Sequence, residues 1–472
     1  MSDLLRGSAR EILYVKETTA GVTPANPTMK PLRCLPNASF KRDAAKLETK
    51  EVTTTRQKRL PRSGKVSASA EIPIELSFDT YTDFLAAVLE FSLDTFTTAI
   101  TLAATTISAS AVDNSFNDSA AGFVAAGFVE GDLVYGVGFS NSANNGLFKI
   151  TSLTTSKMIV TGAADLVTET AGESLTIMKP AYMIVGETLK TFTLEDRFTD
   201  LTSGAVGLRF PGMVVDKLSV KIGTEALVEG TFSLIGRDGI VAETVVGTTI
   251  AAVAADQSFT DSANGFGVFK AGDVIAVSGF STTANNGRFT VASVSTDGNK
   301  ITTTAVATIE NESATPSVTV TTKLPAASTS MSTTDQFAGI DDGHLFYEGG
   351  AAIAVVSDLS FDLTNNCQAY YAVTDTGALD VLDMVFMASG TMSILVKDLA
   401  LMKKFIAETT SSLEFALVDP AGNKLRFIFP YIRYTGAPLT IDGVGAIKSD
   451  MPWDAAESPE YGTTLIIIRE AA

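Results

Sequence analysis

The sequence predicts a mainly β protein: two related β-sandwich or barrel domains, each with one short helix, and two small all-β modules set among them. Three observations predict it. Ala, Val and Ile carry the apolar share in short runs with Thr and Ser between them; one segment occurs twice with hairpin turns inside it; and the rest of the chain shows a fainter duplication.

The 472 residues exceed one ordinary domain and suggest about three. With 45% apolar and 19% charged residues, the chain can bury a sizeable core. The Val, Ile and Thr content favours pleated, half-buried surfaces over long helices. No stretch reaches the roughly 18 apolar residues that cross a bilayer, so no membrane is expected. The opening Met1-Ser2-Asp3-Leu4-Leu5-Arg6-Gly7 carries charge where a secretion signal needs an apolar run, so a cytoplasmic origin is expected. Cys34 and Cys367 are the two cysteines, too few for a disulfide framework, and read as isolated buried thiols.

The repeated segment opens as Ser115-Phe116-Asn117-Asp118-Ser119-Ala120 and again as Ser258-Phe259-Thr260-Asp261-Ser262-Ala263. Gly131-Asp132-Leu133-Val134 then matches Gly272-Asp273-Val274-Ile275, and Ala143-Asn144-Asn145-Gly146-Leu147-Phe148 matches Ala284-Asn285-Asn286-Gly287-Arg288-Phe289. Asn-Gly turns between alternating apolar runs are hairpin grammar. Two copies this far apart cannot stack as a solenoid, so they read as separate modules, 106–178 and 248–322.

With the modules removed, a second duplication emerges. A Ser-Gly turn at Ser63-Gly64 leads through an alternating strand to a helix-like stretch around Phe84 and Leu85, and a Ser-Gly turn at Ser389-Gly390 leads likewise to one around Phe405 and Ile406. Arg209-Phe210-Pro211 with Leu218-Ser219-Val220 parallels Ile428-Phe429-Pro430 with Leu439-Thr440-Ile441. Ser39-Phe40 and Ser360-Phe361 each open a long arm leading to the Ser-Gly pair. The order strand, long arm, strand, helix, strands thus occurs twice. The first domain is 1–105 plus 179–247 and the second is 323–472.

Catalytic chemistry finds little support. His344 is the single histidine, so any Ser-His-Asp triad depends on it; it follows Asp341-Asp342-Gly343 and reads as a turn residue. His and Cys are too few and too scattered for a zinc site, and no phosphate-binding glycine fingerprint is complete. Asp118, Asp132, Asp261, Asn264 and Asp273 lack the calcium-loop spacing and read as turn chemistry. No catalytic residue, metal or cofactor is expected.

The formal net charge of −18 opposes nucleic-acid binding. One region runs against it: between Lys30 and Lys65 lie Arg33, Lys41, Arg42, Lys46, Lys50, Arg56, Lys58, Arg59 and Arg62, opposed by Asp43, Glu48 and Glu51, and it lacks the interleaved aromatics of a nucleic-acid arm. It reads either as a solvated loop or, preferably, as an arm meeting an acidic neighbouring subunit, where complementary charge guides assembly and fixes register.

The arrangement resembles the siphophage tail-tube family, in the branch with two fused tube domains. The resemblance covers roughly 1–105, 179–247 and 323–472. It is carried by Glu11-Ile12-Leu13-Tyr14-Val15-Lys16 with Gly21-Val22-Thr23-Pro24 at the start, and by Asp419-Pro420-Ala421-Gly422-Asn423, Phe429-Pro430 and Gly462-Thr463-Thr464-Leu465 near the end. It implies a major tail tube subunit of a non-contractile tail, found in the virion and assembled in the host cytoplasm. Rings would stack around a tape-measure protein, with tail terminator and tail-tip proteins as further partners. DNA would pass through the lumen without specific binding. It also implies that the basic arm, through Lys50, Arg56, Lys58, Arg59 and Arg62, joins successive rings. Six tube domains per ring would need three chains, with Phe84, Leu85, Phe405 and Ile406 at equivalent helix positions. The alternatives are a surface- or receptor-binding β-repeat protein and a capsid decoration protein.

Overall fold

The computed structural model describes all residues except 1–6, 25, 52–55, 199–205, 305–307, 315–316, 340–343, 354–355, 374–375 and 441–445. The opening hexapeptide, the Asp341-Asp342-Gly343 turn and Ile441 therefore lie outside the described residues. The fold is mostly antiparallel β.

The first domain contributes β1 (Arg10–Lys16), β2 (Ser39–Leu47), β3 (Arg62–Glu75), α1 (Thr82–Val88), β4 (Thr191–Phe198), β5 (Val206–Gly223), β6 (Glu229–Gly236) and β7 (Ile240–Val241). The second contributes β8 (Leu345–Glu348), β9 (Val356–Thr364), β10 (Met387–Leu395), α2 (Ala400–Ile406), β11 (Ser411–Val418), β12 (Lys424–Tyr434), β13 (Lys448–Ala455) and β14 (Ile466–Glu470). Alternation fixes the faces. In β3, Val66, Ala68, Ala70, Ile72 and Ile74 are buried, while Lys65, Ser67, Ser69 and Glu71 point the other way.

In the first domain one sheet runs β2, β3, β6 and the second half of β5. The other sets the first half of β5 between β4 and β7, with β1 beyond β4. The second domain repeats this plan: β9, β10 and β13 form one sheet, and β8, β11, the first half of β12 and β14 form the other. Strand Leu439–Thr440 continues β12 along β13.

The registers make the duplication quantitative. Glu195 pairs with Arg209 and Glu414 with Ile428; Val214 pairs with Ile235 and Arg433 with Asp454; Val220 pairs with Gly230 and Leu439 with Ser449. Every second-domain residue here stands 219 positions after its counterpart, as 414 does to 195. Pro211 and Pro430 sit at the corner where each long strand passes from one sheet to the other. A register slip faces each corner, and Gly212 (φ +66°) follows the first proline.

Two parts of the sequence reading are corrected. Leu218 is not the counterpart of Leu439, because the registers set Leu439 against Val220, two positions further on. Ser63-Gly64 and Ser389-Gly390 lie inside β3 and β10, not in turns, and they are not counterparts, since the registers match Ser389 with Ser69. Gly390 is small because a Cβ there would meet the Trp453 ring and Ser360 O, each at 2.5 Å. Its counterpart, Ala70, pairs with Leu234 where Gly390 pairs with Trp453.

The two domains share one core. Phe84, Phe192 and Phe232 belong to the same buried cluster as Phe361, Phe415 and Trp453. The reason is hydrogen-bonded continuity of the sheet: Lys217–Gly223 of β5 pair antiparallel with Asp358–Thr364 of β9, and Ala181–Ile184 pair with β14.

Each module is a seven-stranded sheet with the same strand order and its own core. Phe116 meets Phe148 edge-on at 5.4 Å, as Phe259 meets Phe289 at 5.0 Å. The sheets begin ahead of the repeated segment, at Ile100 and Thr244, because the incoming strand pairs with the outgoing one. The first module leans on the second domain: the Tyr461 hydroxyl donates to Leu147 O and Lys149 Nζ donates to Tyr461 O, both at 2.9 Å.

Candidate assembly interface

The junction of β5 with β9 leaves two matching edges unused. By the registers, β9 corresponds to β2, with Ser360-Phe361 over Ser39-Phe40. Among the described residues β2 pairs only with β3, and Leu439–Thr440 pairs only with β13. One domain junction is thus made within the chain, while both halves of an equivalent junction stand open. Open edges of this kind are templates for pairing with another chain.

The stretch at 47–62 is exposed along its described length except at the half-buried Pro61. Lys58 pairs with Glu48 at 2.5 Å and Arg59 with Glu51 at 3.1 Å, so part of its charge is neutralised internally. Lys50, Arg56 and Arg62 have no ion pair with another described residue.

The second domain has its own arm at 365–386, the long arm expected between Ser360-Phe361 and Ser389-Gly390. It folds across the first domain. Thr376 O accepts the Val66 N–H at 2.7 Å, Asp380 takes Arg237 at 2.5 Å, and the Lys65 ammonium lies 4.7 Å from the Tyr371 ring centre. Cys367 and Val381 pack on Val214 and Ile235, and burial followed by the Asp216 carboxylate pushes the Cys367 thiol upward. Cys34 is only half-buried, and both thiols are free.

Beside this arm, at the domain boundary, lies a hollow of about 560 Å³ lined by Glu90, Glu187, Asp383, Val385, Phe386, Ala456 and Glu457 among others. Glu90 is 6% exposed, and its Oε1 has no hydrogen-bond partner among the described residues. Burial first, then Asp383 and Glu187, push its carboxyl up to about 7. Sequence reasoning missed it because Leu89-Glu90-Phe91 looks like an ordinary helix end.

The two helices differ in burial. Phe84 and Leu85 are buried, whereas Phe405 is half-buried and Ile406 is 72% exposed. His344 is held at both nitrogens: Nδ1 accepts from Val418 N at 3.1 Å, and Nε2 donates to Ala338 O at 2.6 Å. That is a structural clamp on the ring. The module aspartates cap turns: Asp118 accepts from Thr106 Oγ1, Ala120 N and Gly122 N, and Asp261 repeats this with Thr249, Ala263 and Gly265. Burial alone would raise both carboxyls, but these donors hold them low. Among the described residues no His, Cys, Asp and Glu group is arranged for a metal ion, and no helix is long and apolar enough to cross a membrane.

A family model described as phage tail tube protein matches the chain in two stretches, 7–300 and 293–455. No curated protein sequence matches it.

Proposed function

The chain belongs to the phage tail tube protein family and is a structural component of the virion tail, and from that premise we propose that three copies close into a ring of six tube domains. Rings then stack into a hollow tube that encloses the tape-measure protein and conducts DNA. The observation that carries this reading is the β5–β9 pairing. The free edge at Leu439–Thr440 of one copy and β2 of the next supply the same pair of partners. Repeating one junction around an axis gives a closed heterologous ring with alternating internal and intermolecular seams.

The shared sheet then becomes the channel wall. Its face away from the core carries short hydroxyls such as Ser69, Ser219 and Ser360 among carboxylates such as Glu71, Asp358 and Asp450. Lys217 on that face is already paired with Asp362 at 3.1 Å. Lys41, Lys221 and Lys448 also lie on that face, opposite Ser69, Glu229 and Leu395 rather than beside one another, and cations that do not cluster hold phosphate weakly. The modules, near 106–178 and 248–322, face outward as appendages, and the two tube domains are 1–105 with 179–247 and 323–472. The basic stretch at 47–62 serves contacts between copies. Assembly in the host cytoplasm, with tail terminator and tail-tip proteins at the tube ends, completes the reading, which assigns the protein no catalytic activity. Electron cryomicroscopy of assembled tubes tests it: three chains per ring are expected, and six whole chains per ring would overturn it.

A further inference from the structure

The arm at 365–386 shows how an arm of this chain beds on a tube domain. Its partners are Val66, Lys65 and Arg237. The registers carry Val66 to Phe386, Lys65 to Val385, and Arg237 to Ala456, next to Glu457. All four second-domain residues line the acidic hollow. The place where the first domain takes an arm therefore corresponds, on the second domain, to an open hollow.

Charge inverts between the two places. On the first domain the receiving surface supplies the cation, Arg237, and the arm supplies Asp380. At the hollow the second domain supplies Glu457 and, from the end of its own arm, Asp383, and the first domain adds Glu90 and Glu187 across the boundary. The stretch at 47–62 supplies Lys50, Arg56 and Arg62. It also offers Leu60, 93% exposed, and the hollow's rim offers Val385, 74% exposed, an apolar pair like Val381 on Ile235. The buried, unpartnered Glu90 oxygen is the strongest sign of a missing cation, because a carboxylate in that state gains most from a guanidinium or ammonium brought to it.

We propose that this hollow seats the basic arm (47–62) of a second copy of the chain, its neighbour within the same ring. The proposal rests on the ring reading above and refines it: the arm's first contact is lateral, with the next ring reached only beyond it. Opposite charge then sets which domain face each arm accepts, so that the acidic arm stays on its own chain and the basic arm crosses to the next.

The test uses the full chain as single rings separated from tubes. A zero-length carbodiimide cross-linker should join Lys50 or Lys58 of one copy to Glu187, Asp383 or Glu457 of another in single rings. Such links in tubes but not in single rings would overturn the proposal while leaving the ring intact. In parallel, the double variant Asp383→Lys with Glu457→Lys should weaken ring closure at least about tenfold. Arg56→Glu with Arg62→Glu in the same chain should restore it. Should the lysine variant fail to fold, Glu90→Gln gives a milder loss of closure in a protein whose melting confirms its fold. Unchanged closure in both variants overturns the lateral seat. A wild-type chain that forms no three-membered ring overturns the ring reading, and this refinement with it.

Discussion

Arg237 and Asp380 meet at 2.5 Å across the boundary between the two domains, guanidinium to carboxylate, pinning the second domain's arm over the first domain's sheet. Both ends are partly solvated, with side chains 24% and 47% exposed. Removing either should therefore cost no more than about 1 kcal/mol of global stability. The local effect should be larger: Arg237→Ala or Asp380→Ala should speed proteolysis within 368–382. A cleavage rate equal to wild type in both variants would show that the apolar contacts of Cys367 and Val381 alone hold the arm.

The free edge of β2 gives a prediction that separates folding from assembly. Successive residues of an antiparallel edge strand point their N–H groups alternately inward and outward. Of Lys41→Pro and Arg42→Pro, one loses an N–H bonded to β3 and should be destabilised by roughly 3 kcal/mol. The other loses only an outward N–H and should fold normally yet fail to close rings, as size measurement and microscopy would report. Two variants that both assemble like wild type would exclude β2 from the seam.

Glu90 predicts a pH dependence for the isolated chain. Its folded carboxyl sits near 7 against an ordinary value of 4.5, with Asp383, Glu187 and Glu457 around it and no cation on the hollow's wall. Between those values the folded state binds more protons than the unfolded state, so stability falls as pH rises from about 4.5 to about 7. The loss should be roughly 2 kcal/mol, and Glu90→Gln should flatten it. Denaturant titrations across that range would check the slope, and equal slopes in both proteins would remove Glu90 as its source.

Gly390→Ala should destabilise the second domain by about 1–3 kcal/mol, since the new methyl must displace the Trp453 ring and Ser360 O, each 2.5 Å away. Ala70→Gly, at the counterpart position in the first domain, should cost about 1 kcal/mol for a different reason, the lost strand rigidity and buried methyl. Chemical denaturation of the two variants would distinguish them, and a near-neutral Gly390→Ala would mean that the indole shifts freely.

Local pattern by itself determined a good deal here. Period-two alternation in β3 and the Asn-Gly turns of the modules dictate strands and hairpins from short-range chemistry, and the repeated segments yield two modules because their turns and apolar positions coincide. The match of Phe210-Pro211 with Phe429-Pro430 was legible for the same reason, but that each proline stands at a corner between two sheets was not, because a corner depends on which strands lie on either side. The Ser-Gly matching failed, because glycine marks close approach as well as turns, and Trp453, the group that approaches Gly390, is more than sixty positions away in sequence. Only the tertiary structure decided that β5 pairs with β9, that the second arm lies on the first domain, and that Glu90, Glu187, Asp383 and Glu457 meet around one hollow. Each depends on groups brought together from distant segments, where burial removes water and makes the fate of a charge depend on what faces it.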